Sequence, residues 1–312
     1  MSYTMRDAYG EVGAVPSGIF WGLVGYQLTF RVAQEWSGRV LPRWRRALLF
    51  GEQTDLDTRL AAVAHALLQL VGLLQLPLLW SRKEHAGPGP DGESPPRLHI
   101  ISDDLLFFAW VMCGFLIADL TLVLAYSDTL GSARLRVLHR ASGLALFGLS
   151  AIRKVGGYYV LHVLLWECVT PFRTARWLGS AVHTRLAQRG DDAGDDISSS
   201  RGLTTLRVGA ATLELLAYGV LAWTLLPSLA AAAMEDFPPA LASLSLPALA
   251  ALAEGTADAE ATQETVVFAL VGVGLGGQLI CLALGACECV ADLGWHWQVC
   301  GKGRSSTKPK AD

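Results

Sequence analysis

The chain has 312 residues, of which 52% are hydrophobic and only 17% are charged, and its mean hydropathy is +0.37. Soluble domains carry about 25% charged residues, so this composition argues against a soluble fold. The net charge of −3 gives no reason to expect a nucleic-acid partner.

The hydrophobic residues are gathered into runs of about 20, the length that crosses ~30 Å of hydrocarbon at 1.5 Å per residue. The sequence therefore predicts an all-α fold, a polytopic membrane bundle of about seven transmembrane helices. In chain order these spans are Val15–Ala33, Leu60–Trp80, Leu105–Tyr126, Val137–Ile152, Val155–Val169, Leu206–Leu226 and Thr265–Val290.

The fourth and fifth spans could also be read as one long helix over residues 137–169. Such a helix would bury Arg153 and Lys154 near the bilayer centre, at a cost of several kcal/mol. A turn at these cations and the following Gly156 and Gly157 avoids that cost. We therefore predict two short helices separated by a turn.

The distribution of basic residues tests this topology independently. With seven spans and the N-terminus outside, 19 of the 25 Lys and Arg residues lie on the cytoplasmic side. A single crossing at 137–169 would reverse the bias, against the positive-inside rule.

Within the outer loop at 227–264, the Ala- and Leu-rich part is a candidate helix.

The cysteines indicate packing rather than chemistry. None of the six forms a CxxC pair, so neither a disulfide framework nor a zinc site is expected. No metal and no cofactor is predicted.

Ionisable side chains collect in the half of the bundle that the topology places near the cytoplasm. Ionisable groups in hydrocarbon are costly and usually face a cavity or each other. We predict a polar cavity that opens to the cytoplasm and is built by His65, Asp119, His139, Arg140 and Glu167. The alternative is a set of separate interhelical pairs, for example Arg140 with Glu167 or Asp119.

A short motif after the fifth span resembles a known family. Glu167, Thr170, Pro171 and Phe172, followed by Arg176 and Trp177, are similar to the signature of the TLC domain, named for the TRAM, Lag1 and CLN8 proteins. His65, Asp119 and His139 fit the order of the same family. In this interpretation Pro171 ends the fifth span, and Phe172, Arg176 and Trp177 anchor the chain at the membrane interface.

The resemblance sets the expected organisation of the chain. Residues 1–50 hold an N-terminal span and a basic loop, and residues 51–293 form the TLC-like bundle with the inserted loop 227–264. Residues 294–312 form a cytoplasmic tail, where Lys308 and Lys310 resemble a dilysine signal for the endoplasmic reticulum. We expect an integral protein of that or another endomembrane, with an organellar inner membrane as the alternative.

The chain also departs from the best-known enzymes of the family, the ceramide synthases. His139 is followed by Arg140 where a second histidine is common, and His162 is followed by Val163 rather than an acid. The resemblance is therefore closer to the members that are not ceramide synthases. It implies a protein that binds lipid or acyl chains and influences membrane lipid composition or trafficking.

Two other functions stay open on the sequence. The first is a lipid acyltransferase in which His139, Asp119 and Glu167 are the candidate catalytic residues. The second is a structural accessory subunit of a larger membrane complex, with partners bound through the outer loop 227–264. Membrane lipids are the expected partners in the main hypothesis.

Overall fold

A computed structural model describes residues 5–74, 103–128, 130, 133–153, 156–189, 197–243 and 259–305. Its secondary structure there is helical, with no strand in the described part of the chain. The helices are α1 (Met5–Val40), α2 (Pro42–Ala47), α3 (Phe50–Leu74), α4 (Asp103–Ala125), α5 (Ala133–Arg153), α6 (Gly157–Trp166), α7 (Thr170–Arg189), α8 (Ile197–Thr224), α9 (Leu226–Ser243) and α10 (Ala259–Ser305).

The bundle is organised around α4 and α5. The most extensive helix contacts pair α1 with α4, α4 with α5, α5 with α10, and α7 with α8. One large hydrophobic cluster fills the space between them, and Leu116, Leu146, Tyr159 and Val271 are among its fully buried members. This packing leaves the polar ends of several helices facing one another.

The turn predicted within residues 137–169 is present. Helix α5 ends at Arg153 and α6 begins at Gly157, and Gly156 caps α6 in the left-handed conformation with φ of 71°. Glycine adopts this conformation without the strain that a Cβ atom imposes. The prediction of two separate helices is confirmed.

Glycines allow α1 and α4 to approach closely. A Cβ atom added at Gly22 would collide with the carbonyl oxygen of Val111 and lie 2.8 Å from the Cα of Gly114. Small residues at such crossings are typical of helices that pack within membranes. The N-terminal helix is therefore part of the bundle.

Three of the described helices are long and apolar enough to cross a membrane, at Leu105–Ala125, Gly202–Thr224 and Ala269–Gly294. They coincide with predicted spans three, six and seven. The end of predicted span two, residues 75–80, lies outside the described residues. The protein is a helical membrane protein, and the number of seven spans stays a prediction.

Several regions beyond the predicted spans are helical, among them α2 and α7. The Ala- and Leu-rich start of the loop 227–264 forms α9, which buries Leu229 and Ala232. Helix α10 continues past the predicted end of span seven to Ser305. Lys308 and Lys310 lie outside the described residues.

Candidate functional site

A polar cavity of about 420 Å³ lies between α3, α5, α7 and α10. Its walls carry five arginines, one histidine and three carboxylates. The arginines are Arg59, Arg136, Arg140, Arg173 and Arg176, and the other ionisable groups are His139, Glu167, Glu288 and Asp292. We refer to this space as the polar cavity.

His139, Arg140 and Glu167 share the wall of the polar cavity. His139 Nε2 lies 3.9 Å from Glu167 Oε1, and the side chains keep about a fifth of their surface exposed. Arg140 Nη1 lies 3.2 Å from His139 Nδ1. A guanidinium nitrogen only donates, so Nδ1 is the acceptor and the proton of a neutral His139 is on Nε2, facing Glu167.

Asp119 lies behind this wall, fully buried, and connects three helices. It accepts hydrogen bonds from Arg140 Nε at 2.6 Å and from Tyr26 of α1 at 3.0 Å. Arg136 Nη2 lies 3.6 Å away. The alternative prediction of an Arg140–Asp119 pair therefore holds alongside the cavity.

A second group of charges includes Arg173, Arg176 and Asp292 of the cavity wall. Glu214 of α8, fully buried, accepts hydrogen bonds from Arg176 Nε at 2.8 Å and Arg173 Nε at 3.3 Å. Arg176 Nη1 also donates to Asp292 of α10 at 2.7 Å, and Arg207 donates to the same carboxylate at 2.6 Å. These bonds connect α7, α8 and α10.

The charge of Arg176 is strongly favoured by its partners. Burial alone works against a charged guanidinium, but Glu214 outweighs that effect and the hydrogen bond to Asp292 adds to it. The pKa of Arg176 consequently lies above its ordinary value. Arg176 is also largely buried, with 7% exposure. Arg176 is thus held inside the bundle by its ion pairs, and its role as an anchor at the membrane interface stays a prediction.

The remaining signature residues organise the junction between α6 and α7. A short 3₁₀ turn at Glu167–Val169 links the two helices, and Thr170 Oγ1 donates to Glu167 Oε2 at 2.8 Å. Pro171 lies in the first turn of α7, where its missing N–H costs no helical hydrogen bond. The predicted role of Pro171 needs correction, because α6 has already ended at Trp166. Arg59 lies over the ring of Trp177, 4.6 Å from its centroid.

His65 does not line the polar cavity. Its ring packs against Phe115 with a centroid distance of 3.7 Å, and the residue lines a separate apolar cavity. Of the five residues predicted to share a cavity, the structure thus gathers His139, Arg140 and Glu167 on one wall. Asp119 lies behind them, and His65 lies elsewhere.

Sequence reasoning missed several residues of this region. Arg173 was absent from the predicted site, as were Tyr26, Arg59, Arg136 and the acids of α8 and α10. The signal available for Glu214 and Tyr218 was their i, i+4 spacing in an apolar helix, which places both on one face. Nothing in the sequence indicated which basic partner that face would meet.

The long apolar helices of the bundle are those of a multi-pass membrane protein. Comparison with protein families matches residues 57–189 to the TLC domain of the TRAM, LAG1 and CLN8 proteins. The chain therefore carries a TLC domain over these residues, as the signature predicted. No curated protein and no solved structure matches the chain.

The matched segment supplies only part of the polar cavity. Residues from Arg59 to Ser180 in its wall lie inside the match. Cys281, Gly285, Glu288 and Asp292 come from α10, outside it. The cavity is thus a TLC-domain surface completed by the C-terminal helix.

Proposed function

We propose that the protein binds the polar headgroup of a membrane lipid in the polar cavity and thereby influences membrane lipid composition or trafficking. The observation that supports this most is a roomy cavity lined by charged groups within a membrane bundle. Its volume of about 420 Å³ falls within the ~300–1,000 Å³ typical of ligand pockets. Most of its charged groups belong to the TLC domain.

Free hydrogen-bond donors remain in the cavity wall. Arg140 uses Nε and Nη1 on Asp119 and His139, and Arg173 uses Nε and Nη2 on Glu214 and Tyr218. No hydrogen bond to another described residue occupies Nη2 of Arg140 or Nη1 of Arg173. A guanidinium has five N–H donors, so both can bind oxygen atoms of a headgroup.

The charge balance narrows the class of headgroup. The cavity wall carries five arginines and three carboxylates. Three further carboxylates that do not line the cavity also pair with these arginines: Asp55, Asp119 and Glu214. The opposite charges nearly cancel. This favours a zwitterionic or uncharged polar headgroup over a multiply phosphorylated one, which a single-signed field would attract.

The test uses a substitution that fills the cavity without breaking an ion pair. Ser180 lines the cavity on α7, so Ser180→Phe should fill part of it. Thr184→Phe places the same side chain at an exposed position one turn further along α7. Native mass spectrometry of lipids that co-purify in mild detergent measures occupancy.

We expect wild type and Thr184→Phe to retain a zwitterionic or uncharged lipid. The amount of this lipid that co-purifies with Ser180→Phe should be lower by about fivefold or more. Cells that express only Ser180→Phe should show the lipid profile of a deletion strain. Equal lipid content in all three proteins, or none in wild type, contradicts the proposal.

A lipid acyltransferase is the second candidate, favoured by the nearness of His139 and Glu167 at the cavity wall. A general base needs an unprotonated ring nitrogen within reach of substrate. Nδ1 of His139 already accepts from Arg140, so catalysis would require Arg140 to move. This geometry favours binding over catalysis.

Turnover measurements separate the two functions. If His139 is the base, His139→Ala abolishes acyl transfer from a labelled acyl donor to membrane lipids while the protein still folds and co-purifies with lipid. Transfer that persists in His139→Ala excludes this role for the histidine.

A further inference from the structure

A second cavity lies between α1, α3, α4 and α6. It measures about 210 Å³, and its lining is nearly all apolar, including Trp21, Leu68, Phe108 and Leu164. It shares no lining residue with the polar cavity. We refer to it as the apolar cavity.

One buried amide oxygen in the wall of the apolar cavity lacks a hydrogen-bond donor among the described residues. Gln69 lines the cavity and is 6% exposed. Its Oε1 accepts no hydrogen bond from any described residue, although the amide nitrogen contacts the sulfur of Met112. A buried acceptor without a donor is destabilising, so a donor brought by a ligand would relieve that cost.

His65 lies one turn before Gln69 on the same face of α3 and also lines the cavity. Its ring packs against Phe115 in a tilted arrangement and forms no hydrogen bond with another described residue. Side chains at i and i+4 have Cβ atoms about 5–6 Å apart. One small polar group can therefore contact both side chains at once.

We propose that the apolar cavity is a second lipid site, selective for a single hydrocarbon chain that bears a hydroxyl group. A hydroxyl donates one hydrogen bond, which Gln69 Oε1 can accept, and also accepts one, which the N–H of a neutral His65 can donate. The apolar walls surround the hydrocarbon. A methyl ether or an alkane offers no donor and leaves Gln69 unpaired.

The volume sets the size of the ligand. At about 210 Å³ the cavity is smaller than the ~300–1,000 Å³ pockets that hold whole drug-sized ligands. It suits one chain rather than a two-chain lipid. The site is also built partly by α1, since Trp21, Gly22, Gly25 and Thr29 belong to its wall, and this helix lies outside the TLC match.

The experiment is photolabelling of the full-length protein in nanodiscs. The probes are a diazirine-bearing long-chain alcohol and the matched methyl ether of the same chain. We expect the alcohol to cross-link to Trp21, Leu68 or Phe108, mapped by mass spectrometry, at least tenfold more than the ether. In Gln69→Leu this preference should disappear.

Two glycines of α1, one in the wall of the apolar cavity and one away from it, allow a matched pair of substitutions. A Cβ atom at Gly25 meets nothing within 4 Å, and the residue lines the apolar cavity. Gly25→Leu should therefore block labelling by both probes. Gly38→Leu on the same helix, also with open space around its Cβ, should not.

Several results would overturn this inference. They are equal labelling by alcohol and ether in wild type, labelling that persists in Gly25→Leu, and no labelling at all, which would mean that only water enters. The wild-type comparison needs no variant, so misfolding of Gln69→Leu does not obscure the answer. Ser180→Phe should leave this labelling unchanged, which separates the site from the proposed function of the polar cavity.

Discussion

At the scale of single residues, the bundle is held by arginines that each engage more than one acceptor. Glu214 is fully buried and accepts from both Arg173 and Arg176. Removing one member of a buried ion pair leaves an uncompensated charge, which costs about 3–5 kcal/mol. Pairs exposed to solvent contribute about 0–1 kcal/mol.

Glu214→Gln should therefore lower the free energy of unfolding by about 3–5 kcal/mol. Glu288→Gln is the matched control, because Glu288 contacts the same Arg176 at 3.5 Å but keeps 51% of its side chain exposed. It should change stability by less than about 1 kcal/mol. Unfolding in mixed detergent micelles measures the stability of both variants. Equal losses of stability would contradict the larger contribution expected of the buried Glu214.

The pair between Arg185 and Glu52 predicts a dependence on pH. Burial alone would raise the pKa of Glu52, but hydrogen bonds from Arg185 and from the Leu49 N–H lower it below its usual value. A carboxyl with a lowered pKa in the folded state adds stability at neutral pH. That contribution is lost as the pH falls through the folded-state value.

Wild type should therefore melt at a higher temperature than Glu52→Gln at pH 7. The difference should shrink as the pH drops below the ~4.3 of an unperturbed glutamate. Thermal melts of both proteins over this range provide the measurement. A difference that stays constant down to low pH would show that the charge of Glu52 does not contribute.

At the scale of helices, the contact between α1 and α4 depends on the absence of side chains. A Cβ atom at Gly22 would lie 2.8 Å from both the Cα of Gly114 and the backbone nitrogen of Phe115. Backbone atoms cannot move aside as a flexible side chain can. The two helices must separate to accept even one methyl group.

Gly22→Ala should consequently destabilise the protein by about 1–3 kcal/mol, the usual cost of overpacking. Gly38→Ala on the same helix meets open space. It should be neutral or stabilise by up to about 1 kcal/mol, because alanine favours helix over glycine. Unfolding measurements on the two variants compare their stabilities with that of wild type. Stabilisation by both substitutions would contradict the close packing of α1 and α4.

The sequence predicted the helices better than their contacts. Apolar runs of membrane length located the helices, and Gly156 with its neighbouring cations located the turn before α6. Depth along a helix follows from residue count, and three of the five predicted residues, His139, Arg140 and Glu167, do share one cavity wall. Rotation about the helix axis does not follow from residue count. His65 therefore lines a different cavity from His139, and the partners of Arg176 were not foreseen.

At the scale of the whole molecule, the break at Gly156 decides the topology. If α5 and α6 are parts of separate crossings, the segment after α7 lies on the cytoplasmic side and the segment after α9 lies outside. If residues 137–169 cross once, both segments exchange sides. The two topologies thus make opposite statements about residues 190–196 and 244–258.

Glycosylation mapping in microsomes separates these topologies without background, because the chain contains no asparagine and so no acceptor site of its own. An Asn-Gly-Thr site within a Gly/Ser-rich insert at 244–258 should be glycosylated, and the same insert at 190–196 should not. The first insert faces the lumen with seven spans, because 19 of 25 basic residues then stay on the cytosolic side. The reverse pattern would contradict the seven-span topology with its N-terminus outside.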